Sequence, residues 1–198
     1  ASAASSAEPA TVSTASPADT AGTSVDVAPA TTEPAPAPLQ PQAPISKDPV
    51  LADLQQRLQP FLGSDHAWVR YHAQKAQSWL VYAANERSER SLSTAKKEAL
   101  AEAKRLTEQL EAKAEISPTT KILSVSKVMR RDLWVTAELL KQHPGFDCAS
   151  SDVAQAEVML VWAAAEHCEL GWHHSREPFA AAERLIDKAS YEAFTCRE

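Results

Sequence analysis

The chain has 198 residues, a net charge of −6 and 44% hydrophobic residues, so its folded part is large enough to enclose a hydrophobic core. Its basic residues are dispersed along the chain rather than clustered, which gives no electrostatic footprint for nucleic acid. No apolar run approaches the ~18 residues that a membrane-spanning helix requires, so no transmembrane segment is expected.

Residues 1–46 have the composition of a disordered tether. They consist largely of Ala, Ser, Thr, Pro and acidic residues, and the first basic residue of the chain is Lys47. Such a segment has too little bulky apolar surface to offset the entropy lost on ordering. A cation-free leader of small residues is typical of the segment between a cleaved signal peptide, or a lipid-anchored cysteine, and a periplasmic domain. We therefore predict export to the periplasm, and the sequence leaves open a lipid anchor upstream of Ala1 that would hold the protein at the outer membrane.

Residues 47–198 are predicted to form a helical domain. The helix-start signals in chain order are Asp48-Pro49, Ser64-Asp65, Ser150 or Ser151, and Pro178, and Pro118 separates the first hairpin from the fourth helix. The helix-stop signals are Pro60 with Gly63, Ser91 with Ser93, His143-Pro144-Gly145, and Gly171. For the fourth helix, apolar residues at helical spacing predict a span from Lys127 to His143. No strand pattern is longer than four residues.

An imperfect internal repeat relates residues 73–106 to residues 151–185, about 80 positions later. The matched pairs are Ala76 with Ala156, Leu80 with Leu160, Val81 with Val161, Tyr82 with Trp162, Glu86 with Glu166, and Glu89 with Glu169. Each copy has the pattern of a helix, a short break and a second helix, and such a hairpin cannot bury its apolar stripe alone. We therefore predict an all-α fold of two related antiparallel hairpins, at about 64–111 and 150–195, with a connecting helix between them.

Three cysteines divide into a predicted pair and a predicted free thiol. Cys148 lies just before the predicted fifth helix and Cys196 at the end of the sixth, and these ends meet in an antiparallel hairpin. Cys168 lies near the opposite end, roughly 30 Å away at about 1.5 Å per residue. Because a bridge requires α-carbons within about 7 Å, we predict a Cys148–Cys196 disulfide and a free Cys168. Such a bridge would stabilise the fold by ~4 kcal/mol and implies an oxidising compartment.

The densest group of polar side chains lies around the predicted turn at 166–174. His167, Cys168 and His173 have spacings that zinc ligands can adopt, but no matching pair lies upstream and the equivalent turn of the first copy has no metal ligands. Metal binding is therefore not predicted. Trp172, His173 and His174 are expected to be exposed and, together with His167, to form a candidate binding site.

No motif indicates catalysis. The chain has four glycines and lacks a Gly-rich phosphate loop, a G-x-S-x-G sequence and a supported Ser, His and Asp arrangement. Glu86 and Glu166 could act as paired carboxylates, but their presence in both copies favours an architectural role. The chain is therefore predicted to be a non-enzyme without a cofactor.

Four short stretches carry a family resemblance. They are Lys75-Ala76-Gln77-Ser78-Trp79-Leu80, Arg131-Asp132-Leu133-Trp134, Gly145-Phe146-Asp147-Cys148 and Gly171-Trp172-His173-His174. Together they resemble the helical region that precedes the peptidoglycan-binding module in some proteobacterial OmpA-family envelope proteins, over about Trp68 to Ala189. The mixed α/β module with its peptidoglycan-binding Asp and Arg has no counterpart in this sequence, so no cell-wall-binding residue carries over. The resemblance implies an envelope protein, periplasmic and without known catalysis.

These patterns predict a protein-binding or scaffolding function in a Gram-negative envelope. The predicted contact surface is the groove between the hairpins or the fourth helix, with Arg130, Arg131 and Trp134 among the contact residues. Two alternatives remain open. One is a small-ligand or metal-binding periplasmic protein that uses the 166–174 turn, and the other is an accessory subunit of a secretion or pilus apparatus.

Overall fold

The computed structural model describes residues 45, 47–89 and 94–196, and nearly all of the predicted tether and the predicted break between the second and third helices lie outside them. In the described part the regular secondary structure is entirely helical, which confirms the predicted all-α fold class. The helices are α1 (Pro49–Leu62), α2 (Ala67–Glu89), α3 (Thr94–Glu111), α4 (Arg131–Lys141), α5 (Phe146–Leu170) and α6 (Trp172–Thr195). None of these helices is long and apolar enough to cross a membrane.

Helix α1 begins where the sequence predicts. The Asp48 carboxylate accepts a hydrogen bond from the Val50 amide at 2.9 Å, and Pro49 occupies the first helical position. The helix runs past Pro60, which was a predicted stop. Pro60 and Gln56 are both exposed, so water can bond to the Gln56 carbonyl that loses its helical N–H partner.

Helix α4 is shorter than the predicted span from Lys127 to His143. It begins only at Arg131, because Arg130 has a φ of 51°, a left-handed conformation that a continuous right-handed helix does not contain. The connecting helix of the prediction is therefore a long irregular segment, residues 112–130, followed by three turns of helix.

The irregular segment 112–130 is held by side-chain hydrogen bonds to distant elements. The Ser124 amide donates to the Glu98 carboxylate at 3.0 Å, and the Ser126 hydroxyl donates to the Val161 carbonyl at 2.7 Å. Bonds of this kind compete with the helical ladder and explain why apolar residues at helical spacing do not form a helix here. Leu123, immediately before Ser124, is buried in the core.

Helix α5 begins four residues before the predicted cap at Ser150. Phe146 is its first residue and is buried, and Cys148 in its first turn is bonded to Cys196. These tertiary contacts stabilise a helical turn that has no side-chain cap, since packing rather than propensity supplies most helix stability in proteins.

Helix α6 begins at Trp172 and not, as predicted, at Pro178, which lies inside it. The proline has no N–H, so it cannot bond to the carbonyl of His174 one turn earlier. His174 is exposed, and water can take the place of the missing donor. The predicted turn residues Trp172, His173 and His174 are therefore in the first turn of a helix.

Each predicted hairpin packs together with the helix that precedes it. Helix α1 contacts α2 and α3, and α4 contacts α5 and α6, so the fold has a first half (α1–α3) and a second half (α4–α6). Sequence similarity extends to these added helices, since four residues of the first half recur 82 positions later. The pairs are Leu51 with Leu133, Leu58 with Leu140, Gly63 with Gly145, and Asp65 with Asp147.

The two halves meet through α2 and α5. At this interface Tyr82 stacks on Trp162, with ring centroids 4.9 Å apart and an interplanar angle of 26°. These two residues occupy equivalent positions of the repeat. A residue that contacts its own counterpart lies close to an approximate twofold axis, as in a dimer interface of two identical subunits.

The second half is closed at one corner by three contacts. The Cys148–Cys196 disulfide joins the start of α5 to the end of α6, with α-carbons 5.8 Å apart, as the sequence predicts. A Cβ atom at Gly145 would lie 1.9 Å from the Ala193 carbonyl oxygen, so a larger residue would force the backbones apart. The ring of Phe194 contacts that of His143 at 4.6 Å between centroids.

Candidate functional site

The predicted site at 166–174 spans the end of α5 and the start of α6. Between them, Gly171 has a φ of 84°, which glycine adopts without a steric cost. His167 Nδ1 lies 3.3 Å from the Ser175 hydroxyl, and the His167 ring meets Trp172 edge to face at 6.5 Å. The structure thus brings His167 and Trp172 together across the helix junction.

The other predicted residues of this site point to solvent. His173 and His174 are exposed, and Cys168 is an exposed thiol outside the disulfide. Within residues 45, 47–89 and 94–196, no group of three or more His, Cys, Asp or Glu side chains is arranged to hold a metal ion.

The predicted contact residues near the start of α4 form part of an exposed ion-pair network. Arg130 pairs with Asp132 at 2.7 Å and with Glu183 of α6 at 3.2 Å, and these hydrogen bonds, the one to Asp132 above all, raise the pKa of Arg130. Arg131 is exposed, whereas Trp134 is partly buried and packs against both cores.

A group of charged and polar residues that sequence reasoning did not single out is buried where the two halves meet. Glu157 of α5 is fully buried, and its carboxylate lies 3.2 Å from the Lys75 ammonium of α2 and 2.9 Å from the Lys141 ammonium of α4. The hydroxyls of Tyr71 and Thr120 donate to the same carboxylate at 2.5 and 2.9 Å. We call these five residues the buried charge cluster.

Burial and charge act against each other in this cluster. Burial opposes ionisation of Glu157, yet the two neighbouring ammonium groups lower the pKa of its carboxyl. Burial lowers the pKa of Lys75 to about 8, although Glu157 attracts its proton. Burial and the Glu157 carboxylate raise the pKa of Tyr71. The cluster therefore holds a carboxylate between two ammonium groups at neutral pH, and it joins α2, α4 and α5 with the 112–130 segment.

His72 lies next to this cluster and is 5% exposed. Burial first, and then the charge of Lys75, lower the pKa of His72 to about 4, so its imidazole is neutral at pH 7. Its Nδ1 atom is buried and has no hydrogen-bond partner. Buried polar atoms are nearly always paired, and an unpaired one destabilises the fold by about 1–3 kcal/mol.

His72 lines a cavity of about 730 Å³ in the first half, which we call the apolar cavity. It lies between the end of α1, the start of α2 and the end of α3, and residues 113–118 close one side. Its apolar lining includes Phe61, Trp68, Val69, Leu110 and Ile116. The wall is braced by the buried charge cluster, because the Pro118 carbonyl accepts a hydrogen bond from Lys75 Nζ at 3.0 Å.

A second feature lies on the outer surface of the second half. Four large apolar side chains of α4 and α6 are exposed there, and we call them the apolar strip: Val135, Leu139, Tyr191 and Phe194. Val135 and Leu139 are one turn apart on α4, and His143 follows after another four residues and contacts Phe194.

The groove between the hairpins, predicted as a contact surface, encloses little space. Between α2 and α5 there is a cavity of about 120 Å³ whose lining includes Gln77, Ser78 and Trp162. It is much smaller than the apolar cavity, because Tyr82 and Trp162 fill the interface.

Some of the missed residues do leave a signal in the sequence. Glu157 is the single charged residue between Val153 and Ala165, and a lone acid within an apolar helix face indicates a buried and paired carboxylate. Its partners Lys75 and Lys141 are distant in sequence, and no local pattern identifies them.

Comparison of the chain with protein-family profiles, curated proteins and solved structures found no match. The function is therefore inferred from the geometry of the chain itself.

Proposed function

We propose that this chain is a non-enzymatic binding domain of a Gram-negative cell envelope, and that it holds a protein partner through the apolar strip. The observation that carries the proposal is the exposure of the strip. Val135, Leu139, Tyr191 and Phe194 are 58%, 63%, 71% and 74% exposed. Exposed large apolar groups that occur together, as opposed to singly, mark interaction surfaces.

The strip lies apart from the residues of α4 and α6 that face the core. The inward faces of α4 and α6 are already occupied, by Leu133, Ala137 and Leu140 on α4 and by Phe179, Ile186 and Ala189 on α6. Helix α4 therefore has apolar residues on two faces, and the second face has no structural purpose within the described residues. A partner with an apolar surface would bury it.

The strip is also rigid at one end, which favours tight binding. The disulfide, the close approach of Gly145 to Ala193 and the contact between His143 and Phe194 fix the end of α6 against the α4–α5 corner. A surface held in place before binding loses less conformational entropy when the partner docks. Tyr191 and Phe194 are aromatic, and aromatic side chains commonly supply the energetically dominant contacts of an interface.

Three observations support an envelope location. The Cys148–Cys196 bridge is of a kind that persists in oxidising compartments such as the periplasm. The composition of residues 1–46 is that of a periplasmic tether, and the resemblance to OmpA-family helical regions implies the same compartment. Fractionation of the native cells tests the location, and thiol titration tests the bridge: protein denatured without reductant should have one titratable thiol, Cys168, and three would contradict it.

Site-specific photocrosslinking tests the binding surface. A photoreactive amino acid at Leu139 or Phe194 should give one discrete crosslinked product with an envelope protein, and the substitution Val135→Asp should remove that product. The control position is Val50, which is 53% exposed on α1 and lies outside the strip. Equal crosslinking from Val50 would contradict the proposed surface. A product with twice the mass of the chain would also contradict it, because the partner would then be a second copy.

A further inference from the structure

We propose that the apolar cavity is the docking site of a segment of this same chain, Leu39-Gln40-Pro41-Gln42-Ala43-Pro44, which lies outside the described residues. We call it the proline segment. The site is separate from the apolar strip and does not depend on the proposed protein partner. Three observations support it: the course of the chain beside α1, the length of the segment, and the match between its side chains and the cavity wall.

The chain enters the described fold beside α1, on the way to the cavity. The Ile45 amide donates a hydrogen bond to Gln55 Oε1 at 2.8 Å, and the Ile45 side chain packs against the core. Traced backwards from Asp48, the chain therefore runs along α1 towards the end of that helix. Phe61, which lines the cavity, lies six residues beyond Gln55 in α1, about 9 Å along the helix axis. The residues before Ile45 thus start close to the cavity.

The proline segment is long enough to reach the cavity. Six residues in a polyproline conformation span about 19 Å, at about 3.1 Å per residue, which exceeds the distance from Gln55 to Phe61 along α1. A segment joined to the fold in this way has an effective concentration near the site of about 1 mM. A contact with a Kd of about 1 mM would therefore leave about half of the chains docked, whereas a separate molecule would need a millimolar concentration.

The side chains of the proline segment match the cavity wall. Pro41 and Pro44 have the spacing P-x-x-P, and proline-rich segments of this kind dock in grooves lined by aromatic rings. Phe61 and Trp68 supply such rings, and Trp68 is 43% exposed at the opening. Leu39 is the bulkiest apolar residue of the predicted tether that precedes Ile45. Docking would bury it against the apolar lining, where its transfer out of water is favourable.

The charges of the segment and of the cavity are also compatible. The six residues of the segment have no charged side chain. Among the residues that line the cavity, Lys113 and Glu115 are exposed at the rim and have opposite signs. Behind the wall, the Lys75 ammonium is paired with Glu157 at 3.2 Å. An uncharged segment can therefore enter without leaving an ion desolvated and unpaired.

The second half indicates that this corner of the fold accepts an apolar side chain. There the residue after Gly145 is Phe146, which is buried. In the first half the residue after Gly63 is Ser64, which is small and polar and lines the cavity. The first half thus lacks an apolar residue of its own at the equivalent position, and the proline segment supplies one.

NMR spectroscopy of the full chain tests the docking through the Trp68 indole signal, which a Trp68→Phe variant assigns. Leu39→Asp should weaken docking about tenfold or more and shift this signal, because a carboxylate is poorly tolerated in an apolar site. The matched control is Val27→Asp, which adds the same charge to the predicted tether outside the proline segment. It should leave the Trp68 signal in place. Circular dichroism checks that both variants keep the helix content of the original chain.

A nitroxide spin label measures the proximity of the two sites. Cys168→Ser removes the free thiol, and Gln40→Cys then provides a single position for the label, since the other two cysteines are bridged. The label should broaden the Trp68 signal and leave that of Trp172 sharp. Trp68 contacts Phe146 at the start of the 25-residue helix α5, whereas Trp172 follows its far end. Adding Leu39→Asp to the labelled chain should restore the Trp68 signal.

Several results would overturn the proposal. Leu39→Asp and Val27→Asp could shift the Trp68 signal equally, or neither could shift it, and in both cases the proline segment is not the occupant. The same conclusion follows if the label leaves the Trp68 signal sharp, or if Leu39→Asp does not restore a broadened one. Broadening in an isotope-labelled chain by a separate spin-labelled chain would assign the cavity to the segment of a second copy.

Discussion

In the first half of the fold, α1, α2 and α3 leave a cavity of about 730 Å³ between their ends, whereas in the second half a disulfide and a close backbone contact seal the corresponding corner. The corner sequences are related, since Gly63 and Asp65 recur as Gly145 and Asp147. After Gly145 comes Phe146, which is buried, whereas Gly63 is followed by Ser64, which lines the cavity. Related helical units can therefore have open or closed interiors, depending on a few side chains at the corner.

The largest effect is expected from disrupting the cluster that joins the two halves. Glu157→Gln would leave the buried Lys75 ammonium without a carboxylate and would leave Lys141 with only the exposed Glu138, at 2.6 Å. Removing one partner of a buried ion pair typically costs about 3–5 kcal/mol. Urea unfolding measures this loss. The matched control is Glu108→Gln, which removes an exposed pair with Lys104 at 3.8 Å and should change the free energy of unfolding by less than about 0.5 kcal/mol. Equal effects of the two substitutions would contradict the importance of the cluster.

Removing the disulfide should take away the covalent link that the second half has and that the described part of the first half does not. The double substitution Cys148→Ser with Cys196→Ser is expected to lower the free energy of unfolding by about 4 kcal/mol. The reason is that the bridge joins two residues separated by 48 positions in the sequence and so restricts the unfolded chain. Amide hydrogen exchange should increase first in α5 and α6. Cys168→Ser is the control, because this thiol is exposed and not bridged. An equal increase of exchange in both halves would show that the bridge does not act locally.

Acid should destabilise the first half through His72. The folded state lowers the pKa of His72 from 6.5 to about 4, so between these values the unfolded chain binds more protons and stability falls as the pH falls. From pH 6.5 to pH 5 the expected loss is about 2 kcal/mol. The Lys75 and Lys141 ammonium groups lower the pKa of the Glu157 carboxyl against the effect of burial, which moves its titration away from this pH range. Unfolding measured at both pH values should show this loss, and His72→Phe should remove it. The same loss in the variant would assign it to another group.

The smallest expected effect concerns the rim of the apolar cavity. Lys113, two residues beyond the end of α3, has a φ of 52°, and the Ala114 amide donates to the Gln109 carbonyl at 2.9 Å. Glycine is the usual residue in such a helix ending. Lys113→Gly should therefore stabilise the protein by about 1 kcal/mol. Thermal unfolding measures the gain. Arg130→Gly would place glycine at a similar left-handed position but would also remove two ion pairs. It should therefore stabilise the protein less than Lys113→Gly, or not at all.

The features that sequence reasoning predicted correctly depend on local patterns. The caps and periodicity predicted α1 and the all-α class, and the antiparallel geometry of a hairpin predicted the Cys148–Cys196 pairing. The start of α4 was wrong because Arg130 has a left-handed φ of 51°, and its side chain bonds to Glu183, which is distant in sequence. The early start of α5 has a similar cause, since its first turn is stabilised by contacts with α6.

The candidate sites were less accessible to sequence reasoning. A cavity is a space between elements, and no residue type encodes it; His72 occupies a position on the α2 stripe that suits a core histidine equally well. The apolar strip was missed because the periodicity predicts the core-facing residues of α4, Leu133, Ala137 and Leu140, but does not predict whether other apolar residues of the helix are covered.

The stack of Tyr82 on Trp162 has a consequence for the ancestry of the chain. Because the two counterparts meet face to face, we infer that the present interface descends from the contact surface of a self-pairing ancestor whose gene was duplicated and fused. Two separate copies encoded by one gene must change together, whereas two copies within one chain can change independently. The two halves differ in this way, since the second has the Cys148–Cys196 disulfide and the first has the cavity.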